Sequence, residues 1–304
     1  MRNERVRVWT AWTIVSTVWG STWLAIHLGL EEMPVLLALG LRFALAASVL
    51  GVIVRLRRIE IPRTPDAMKV YATLGVVSFT IPFALVYWGQ QFIPTGLSSI
   101  LFAAYPFWVA LFSHLFLRAE RLNGFKIAGI ASGFAGLVII FSGDLQASHP
   151  SALAGMGAIL VSTIMQGFSL IVVKRFGQPV SPFAMNFVGM AVASVLILGG
   201  SLLFERGLPV VWSPMAVGSV AYLAIVGSVL TFVSYFWLLK RIQAVYLSLT
   251  SFVNPIVAVI LGAVVLGESF PPAMVAGASM VLGGILIANG NAFRARATRL
   301  AERP

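Results

Sequence analysis

Few residues in this chain could make or break a covalent bond. Its 304 residues include no cysteine and three histidines, which excludes thiol chemistry and disulfide bonds. The segment GLSS at 96–99 comes nearest to a serine nucleophile site. A nucleophile needs a base held against it, and along a helix His114 lies about 24 Å from Ser98. The ten acidic residues are Glu4, Glu31, Glu32, Glu60, Asp66, Glu120, Asp144, Glu205, Glu268 and Glu302. All sit at the ends of apolar runs or between them. No carboxylate pair is therefore placed for aspartyl chemistry or a proton relay, and no group of ligands has metal-site spacing. Neither an enzyme nor a bound metal or cofactor is expected.

The chemistry that remains is recognition. Polar and aromatic side chains sit inside or at the ends of long apolar runs: Trp19, Ser21, Thr22 and Trp23; Tyr87, Gln90 and Gln91; Ser98, Ser99, Tyr105 and Trp108. Later in the chain come Gln166, Ser169, Asn186, Tyr235, Ser251 and Asn254. A buried amide or hydroxyl needs a partner. The ammonium and carboxylate of an amino acid supply several, and Trp and Tyr faces suit both an apolar side chain and a cation. The expected substrate-binding residues are Trp19, Tyr87, Tyr105, Gln166, Ser169, Tyr235, Ser251 and Asn254. The competing reading is that Ser, Thr and Asn join helices and that aromatic residues form interfacial belts, as the positions of Trp9, Trp12 and Trp212 suggest. Arg42 is the one cation well inside a run. It could grip a substrate carboxylate through two parallel hydrogen bonds, or tie carbonyls and a helix end together. His27 and His114 are further titratable candidates.

The elements that must position these residues are set by composition. Hydrophobic residues make up 59% of the chain and charged residues 10%, and the mean hydropathy is +0.94. A soluble domain carries about 25% charged residues. Crossing roughly 30 Å of hydrocarbon takes about 20 apolar residues at 1.5 Å each. Ten such runs occur, at about 8–28, 34–54, 68–88, 95–117, 124–142, 153–173, 182–203, 214–238, 244–266 and 273–291. Barrel strands would be about ten residues long with alternating polarity; these runs are longer and unalternated. The expected fold class is an all-α integral membrane protein with ten transmembrane helices. The first run is too long for a signal-peptide core, and no small-residue cleavage site follows it.

The net charge of +11 reads as an orientation signal rather than a nucleic-acid surface. With ten spans, every Lys and Arg except Arg42 and Arg206 falls at one end of the bundle, from Arg2, Arg5 and Arg7 to Arg294, Arg296, Arg299 and Arg303. Basic links stay cytoplasmic. Both termini are expected in the cytoplasm of a bacterial-type inner membrane, with anionic lipid as a partner and no nucleic acid.

Residues 86–139 recur at 234–287. Tyr87 matches Tyr235, Pro106 matches Pro255, Glu120 matches Glu268, Gly129 matches Gly277 and Gly136 matches Gly284. Upstream, Gly20 in VWGSTWL aligns with Gly167 in MQGFSLI. The chain divides into 1–145 and 146–304, five spans each. An odd number of spans makes the second half enter from the opposite side. Inverted repeats of this kind are a transporter architecture, with the substrate site at the midplane between the halves. Pro106 and Pro255 fall mid-span at matched positions. Each removes an intrahelical hydrogen bond and presses on the carbonyl four residues back, at Phe102 and Ser251. Freed backbone at that depth is tolerated where it is packed or lines a cavity, so the fourth and ninth spans are expected to kink there and to hinge. Gly129, Gly133 and Gly136, with Gly277 and Gly284, have the spacing of close helix packing. The fifth and tenth spans would be scaffold or a dimer surface, in a monomer or weak dimer.

These stretches together resemble the drug/metabolite transporter superfamily, in its ten-span EamA-type branch. The resemblance is carried by VWGSTWLAIHLGL, by PVLLALGLRFALAA with its P…LR piece, and by AAYPFWVALFSHLFLRAERLNGFKIAGIASGFAGLVII with its partner SFVNPIVAVILGAVVLGESFPPAMVAGASMVLGGILI. It covers nearly the whole chain. It implies export of metabolites, often amino acids, and the aromatic-rich spans look most like YddG-type exporters of aromatic and other neutral amino acids. Arg42 belongs to the pattern across many substrates, which favours a structural or gating role over substrate contact. The small four-span multidrug members carry a membrane-embedded glutamate in their first span, and this chain has none there. The expected activity is facilitated alternating-access transport of neutral or aromatic amino acids, without carboxylate-based proton coupling. Carriers of small polar amino acids or nucleosides, and a proton-coupled antiporter, are the alternatives. A receptor or scaffold would not require the repeat.

Overall fold

The structure is a computed structural model describing residues 2–117, 124–145, 150–242, 247 and 250–288. Glu120 of the repeat, Arg118, Arg121 and the basic tail with Arg294, Arg296, Arg299 and Arg303 lie outside the described residues.

Among the described residues, ten helical rods follow the apolar runs: α1 (Arg2–Leu30), α2 (Val35–Leu56), α3 (Pro65–Gln90), α4 (Thr95–Phe116), α5 (Gly124–Leu145), α6 (Pro150–Phe176), α7 (Pro182–Phe204), α8 (Pro214–Leu239), α9 (Thr250–Leu266) and α10 (Pro272–Ala288). Six of them, α2, α3, α4, α6, α7 and α8, are long and apolar enough to cross a bilayer, and α5, α9 and α10 contain shorter apolar stretches. α1 is 29 residues long, but its Arg, Trp, Ser and Thr content leaves it less apolar than those six. Pro65, Pro182 and Pro214 occupy first turns, where a missing N–H costs nothing. Burial is inverted relative to a soluble protein. Phe204 is 81% exposed and Val264 78%, whereas Asn186 and Thr231 are fully buried. Such a surface suits hydrocarbon, not water.

α5 packs along α10, and α2 along α7. α3 lies on α6 as α1 lies on α8, α4 lies on α6 as α9 lies on α1, and α4 meets α9. This pairing maps onto itself when α1–α5 are exchanged with α6–α10. Close approaches at glycine follow the same exchange. A Cβ on Gly20 would stand 2.5 Å from the Val257 Cβ in α9, and one on Gly167 2.9 Å from the Trp108 Cβ in α4. A Cβ on Gly136 would stand 2.5 Å from the Gly277 carbonyl oxygen, and one on Gly284 would strike the Gly129 carbonyl oxygen. The glycine stripes of α5 and α10 therefore face each other inside the chain. They are a seam where backbone meets backbone.

Two turns depart from α geometry. Thr73–Thr80 in α3 and Ile225–Leu230 in α8 are π-helical. Hydroxyls bond across these wide turns: Thr80 Oγ1 donates to the Gly75 carbonyl (2.6 Å) and Ser228 Oγ to the Leu223 carbonyl (2.8 Å). The two matched prolines also behave differently. α4 is interrupted at Ala103–Ala104, and Pro106 sits in the first turn of the restarted segment. Short bonds from Ala104 N–H to the Leu101 carbonyl and from Phe107 N–H to the Ala104 carbonyl bridge the break. α9 continues as helix through Pro255, so the helix breaks beside its proline in one half only.

Carboxylates close helix starts across the two halves. Glu268, between α9 and α10, accepts from Thr95 N–H (2.6 Å), Thr95 Oγ1 (2.8 Å) and Gly96 N–H (3.1 Å) at the start of α4. Glu205 accepts from Leu36 N–H (2.7 Å) and Leu37 N–H (2.9 Å) at the start of α2. Ser213, which caps α8, donates to Glu32. Each places negative charge at the positive end of a helix. At the other end of α8, Lys240 donates to the Gln178 and Val180 carbonyls (both 2.7 Å). Burial, followed by the charge of Arg241, lowers its pKa below the usual lysine value.

Candidate functional site

A cavity lined by aromatic and neutral polar side chains lies among the helices, the kind of lining that small-molecule sites have. Its walls come from α1, α2, α3 and α4 of the first half and from α6, α8 and α9 of the second. α5, α7 and α10 stand outside it.

Of the residues expected at a substrate, Trp19, Tyr105, Gln166, Ser169, Tyr235, Ser251 and Asn254 line this space. Tyr87 does not. It is 1% exposed, and its hydroxyl accepts a hydrogen bond from Arg42 Nη1 at 3.2 Å. Its polar atom is thus already committed behind the wall, to the guanidinium. Arg42 itself lines the cavity. Its Nε donates to Ser228 Oγ at 2.9 Å, and its Cζ lies 5.0 Å from the Phe83 ring centre and 5.5 Å from that of Phe43. The π-helical turn of α8 delivers Ser228 to that position.

The two halves meet in the cavity through named contacts. The Tyr105 and Tyr235 hydroxyls hydrogen-bond at 2.9 Å. Ser78, in the π-helical turn of α3, donates to Gln166 Oε1 at 2.9 Å. Trp19 packs on Phe232 with ring centres 5.2 Å apart and on Tyr235 at 4.9 Å, and Phe102 stacks on Tyr105 at 6.1 Å. Asn254, oriented from its hydrogen-bonding neighbours, turns its amide nitrogen to the carbonyls of Thr250 (2.9 Å) and Ser16 (2.7 Å). Among the described residues, the buried Ser169 Oγ has no hydrogen-bond partner. His114 is exposed on α4 and is not a wall residue, and His27 lies 3.6 Å from Glu31 near the end of α1.

Sequence reasoning missed Ser78, Phe83, Phe102, Phe232 and Phe236 in the wall. The four-residue spacing of Phe79–Phe83 and Phe232–Phe236 puts each pair on one helix face, a signal that was present but indistinguishable from core packing. Ser78 carried none, since a π-helical turn has no local sequence mark here. The wall offers aromatic faces, neutral hydrogen-bonding groups and one fixed cation. It is equipped to bind a small molecule. Replacing Tyr235 with Ala or Asn254 with Leu should cut substrate flux severalfold while the yield of folded protein holds. Flux equal to wild type in both variants would remove them from the site.

Residues 8–142 and 153–290 each match the EamA-like transporter family. The chain is 28% identical over 273 residues to the uncharacterized transporter YoaV of Bacillus subtilis, covering 90% of this chain and 93% of that one. It is 27% identical over 293 residues to a protein of Streptantibioticus cattleyicolor named "Probable terminal-alkyne amino-acid exporter", covering 91% and 92%. A crystal structure shares the fold at a TM-score of 0.70 and 20% identity, over 94% of this chain and 97% of its own. Matched in both halves, the chain belongs to the EamA-like transporter family.

Proposed function

We propose that the protein crosses a bacterial cytoplasmic membrane ten times, with both termini inside, and exports neutral or aromatic amino acids by alternating access. The halves 1–145 and 146–304 form inverted repeats that rock against each other around the cavity. One observation carries this reading: the cavity is walled by both halves and joins aromatic faces to hydrogen-bonding groups. The relative named as an amino-acid exporter supports the substrate class. No acidic residue is among the wall residues described, which supports a facilitator without carboxylate-based proton coupling.

Pro106 is the stronger hinge. Because α4 is already interrupted beside it, Pro106→Ala should change the rate of exchange more than affinity. Pro255→Ala should do less, since α9 is continuous. Equal effects from the two would remove the asymmetry.

Counterflow in proteoliposomes of the full chain tests the function. Vesicles loaded with unlabelled phenylalanine should take up labelled phenylalanine, and a pH gradient should leave that uptake unchanged. Uptake that needs the gradient would replace the facilitator with a proton-coupled antiporter. Exchange of another neutral metabolite but of no amino acid would keep the carrier and discard the substrate.

A further inference from the structure

Among the described residues lining the cavity, Arg42 is the only one with a permanent charge, because a guanidinium stays protonated at any physiological pH. It is 1% exposed. Its partners are all neutral: the Ser228 and Tyr87 hydroxyls and the faces of Phe83 and Phe43. The ion pairs among the described residues, His27–Glu31 and Lys69–Asp66, do not include it. Its Nη2 donates no hydrogen bond among the described residues. Charge buried at membrane depth against neutral partners is costly. A ligand bringing the opposite charge into the cavity would relieve that cost, and the planar fork of donors matches a carboxylate.

The neighbouring geometry limits what else the ligand must carry. A Cβ on Gly227 would lie 2.9 Å from Thr22 Cγ2 and 3.8 Å from Arg42 Nη2, so Arg42 stands at the Thr22 level of α1. Asn254 is tied to the Ser16 carbonyl, about 9 Å farther along the same helix by its rise. An α-ammonium sits only one carbon from its carboxylate. Held at Arg42, it falls well short of Asn254, and the described lining offers it only neutral amides, hydroxyls and aromatic faces, with no carboxylate to pair with it.

We propose that Arg42 is the carboxylate-binding residue of the cavity, and that its ligands are organic monocarboxylates with an aromatic or apolar body, for which the amino group is dispensable. This rests on the reading that transported solutes occupy this cavity.

The test uses two acid–amide pairs with the full chain: phenylalanine with phenylalaninamide, and 3-phenylpropionate with 3-phenylpropionamide. Each is measured as a competitor of labelled phenylalanine counterflow and by calorimetric binding in detergent. Both acids should bind and compete, and each amide should be weaker by about 10- to 100-fold, as expected for loss of a hydrogen-bonded charge partner. Arg42→Gln should erase that acid–amide ratio, and Arg42→Lys should keep part of it. A purely structural arginine would lower all four ligands together and leave the ratio alone. If Arg42→Gln does not fold, the wild-type ratio decides. Acids and amides that compete equally, with counterflow running, would overturn the assignment and leave transport standing. Competition by phenylalanine but not by 3-phenylpropionate would overturn the dispensable amino group. Binding of the acids without phenylalanine counterflow would support Arg42 and sink the amino-acid transport reading. Failure of all four to bind would overturn the carboxylate assignment, and with it the aromatic substrate.

Discussion

Gly284→Val should leave little folded protein. A Cβ at this position meets the Gly129 carbonyl oxygen and comes 2.8 Å from the Gly133 amide nitrogen. Both are backbone atoms of α5, so no side chain can rotate away. α10 would have to retreat, loosening the matching approach of Gly136 to Gly277 and the bond from Ser132 Oγ to the Met280 carbonyl (3.1 Å). Helix association in lipid depends on such close packing, because hydrocarbon gives no hydrophobic drive between helices. Overpacking a tight site costs about 1–3 kcal/mol and more when the neighbour cannot give; the upper end of that range is expected. The readout is thermal stability and size-exclusion profile in detergent. Gly283→Ala is the control, since a Cβ there meets nothing within 4 Å, and it should behave as wild type. A normal melting temperature for Gly284→Val would show that α5 and α10 do not meet along this seam.

Glu268→Ala should also destabilise strongly. It strips the acceptor from two backbone amides and a hydroxyl at the start of α4. Leaving buried donors unsatisfied costs about 1–3 kcal/mol each, and a lost helix cap typically about 1 kcal/mol. Water at this helix end can recover part of that, so about 2–4 kcal/mol is expected overall. Glu268→Gln keeps one acceptor oxygen without the charge and should fall between the alanine variant and wild type. Equal melting temperatures for the alanine, glutamine and wild-type proteins would show that the cap contributes nothing.

Much of this was readable beforehand, for physical reasons that differ by element. The helical rods follow the apolar runs because a bilayer imposes length and satisfies no backbone group. The matched glycines at 20 and 167 were visible as an alignment. Their cause, the approach of Val257 and Trp108, needed the packing of α1 on α9 and of α6 on α4. Seven of the eight expected substrate contacts reach the cavity wall because polar groups inside an apolar run have few other places to go. Tyr87 stands behind the wall because its hydroxyl accepts from Arg42, a pairing between helices that no local pattern encodes. The family pattern of Arg42 favours a structural or gating role; its place in the wall, with no carboxylate partner among the described residues, depends on where α8 and α3 put their side chains. The π-helical turns were invisible, since one extra residue in a turn leaves the hydrophobic pattern nearly unchanged.

The carboxylate caps bear on how the protein is made. Glu268 is synthesised 173 residues after Thr95, and Glu205 169 residues after Leu36. At about 5–20 residues per second, the starts of α4 and α2 wait roughly 9–35 s for the residues that close them. During that interval a nascent first half can enter the bilayer, but two of its helices have exposed amide ends with no partner yet made. A ribosome that stalls after the fifth helix releases a fragment whose missing acceptors lie in the part never translated.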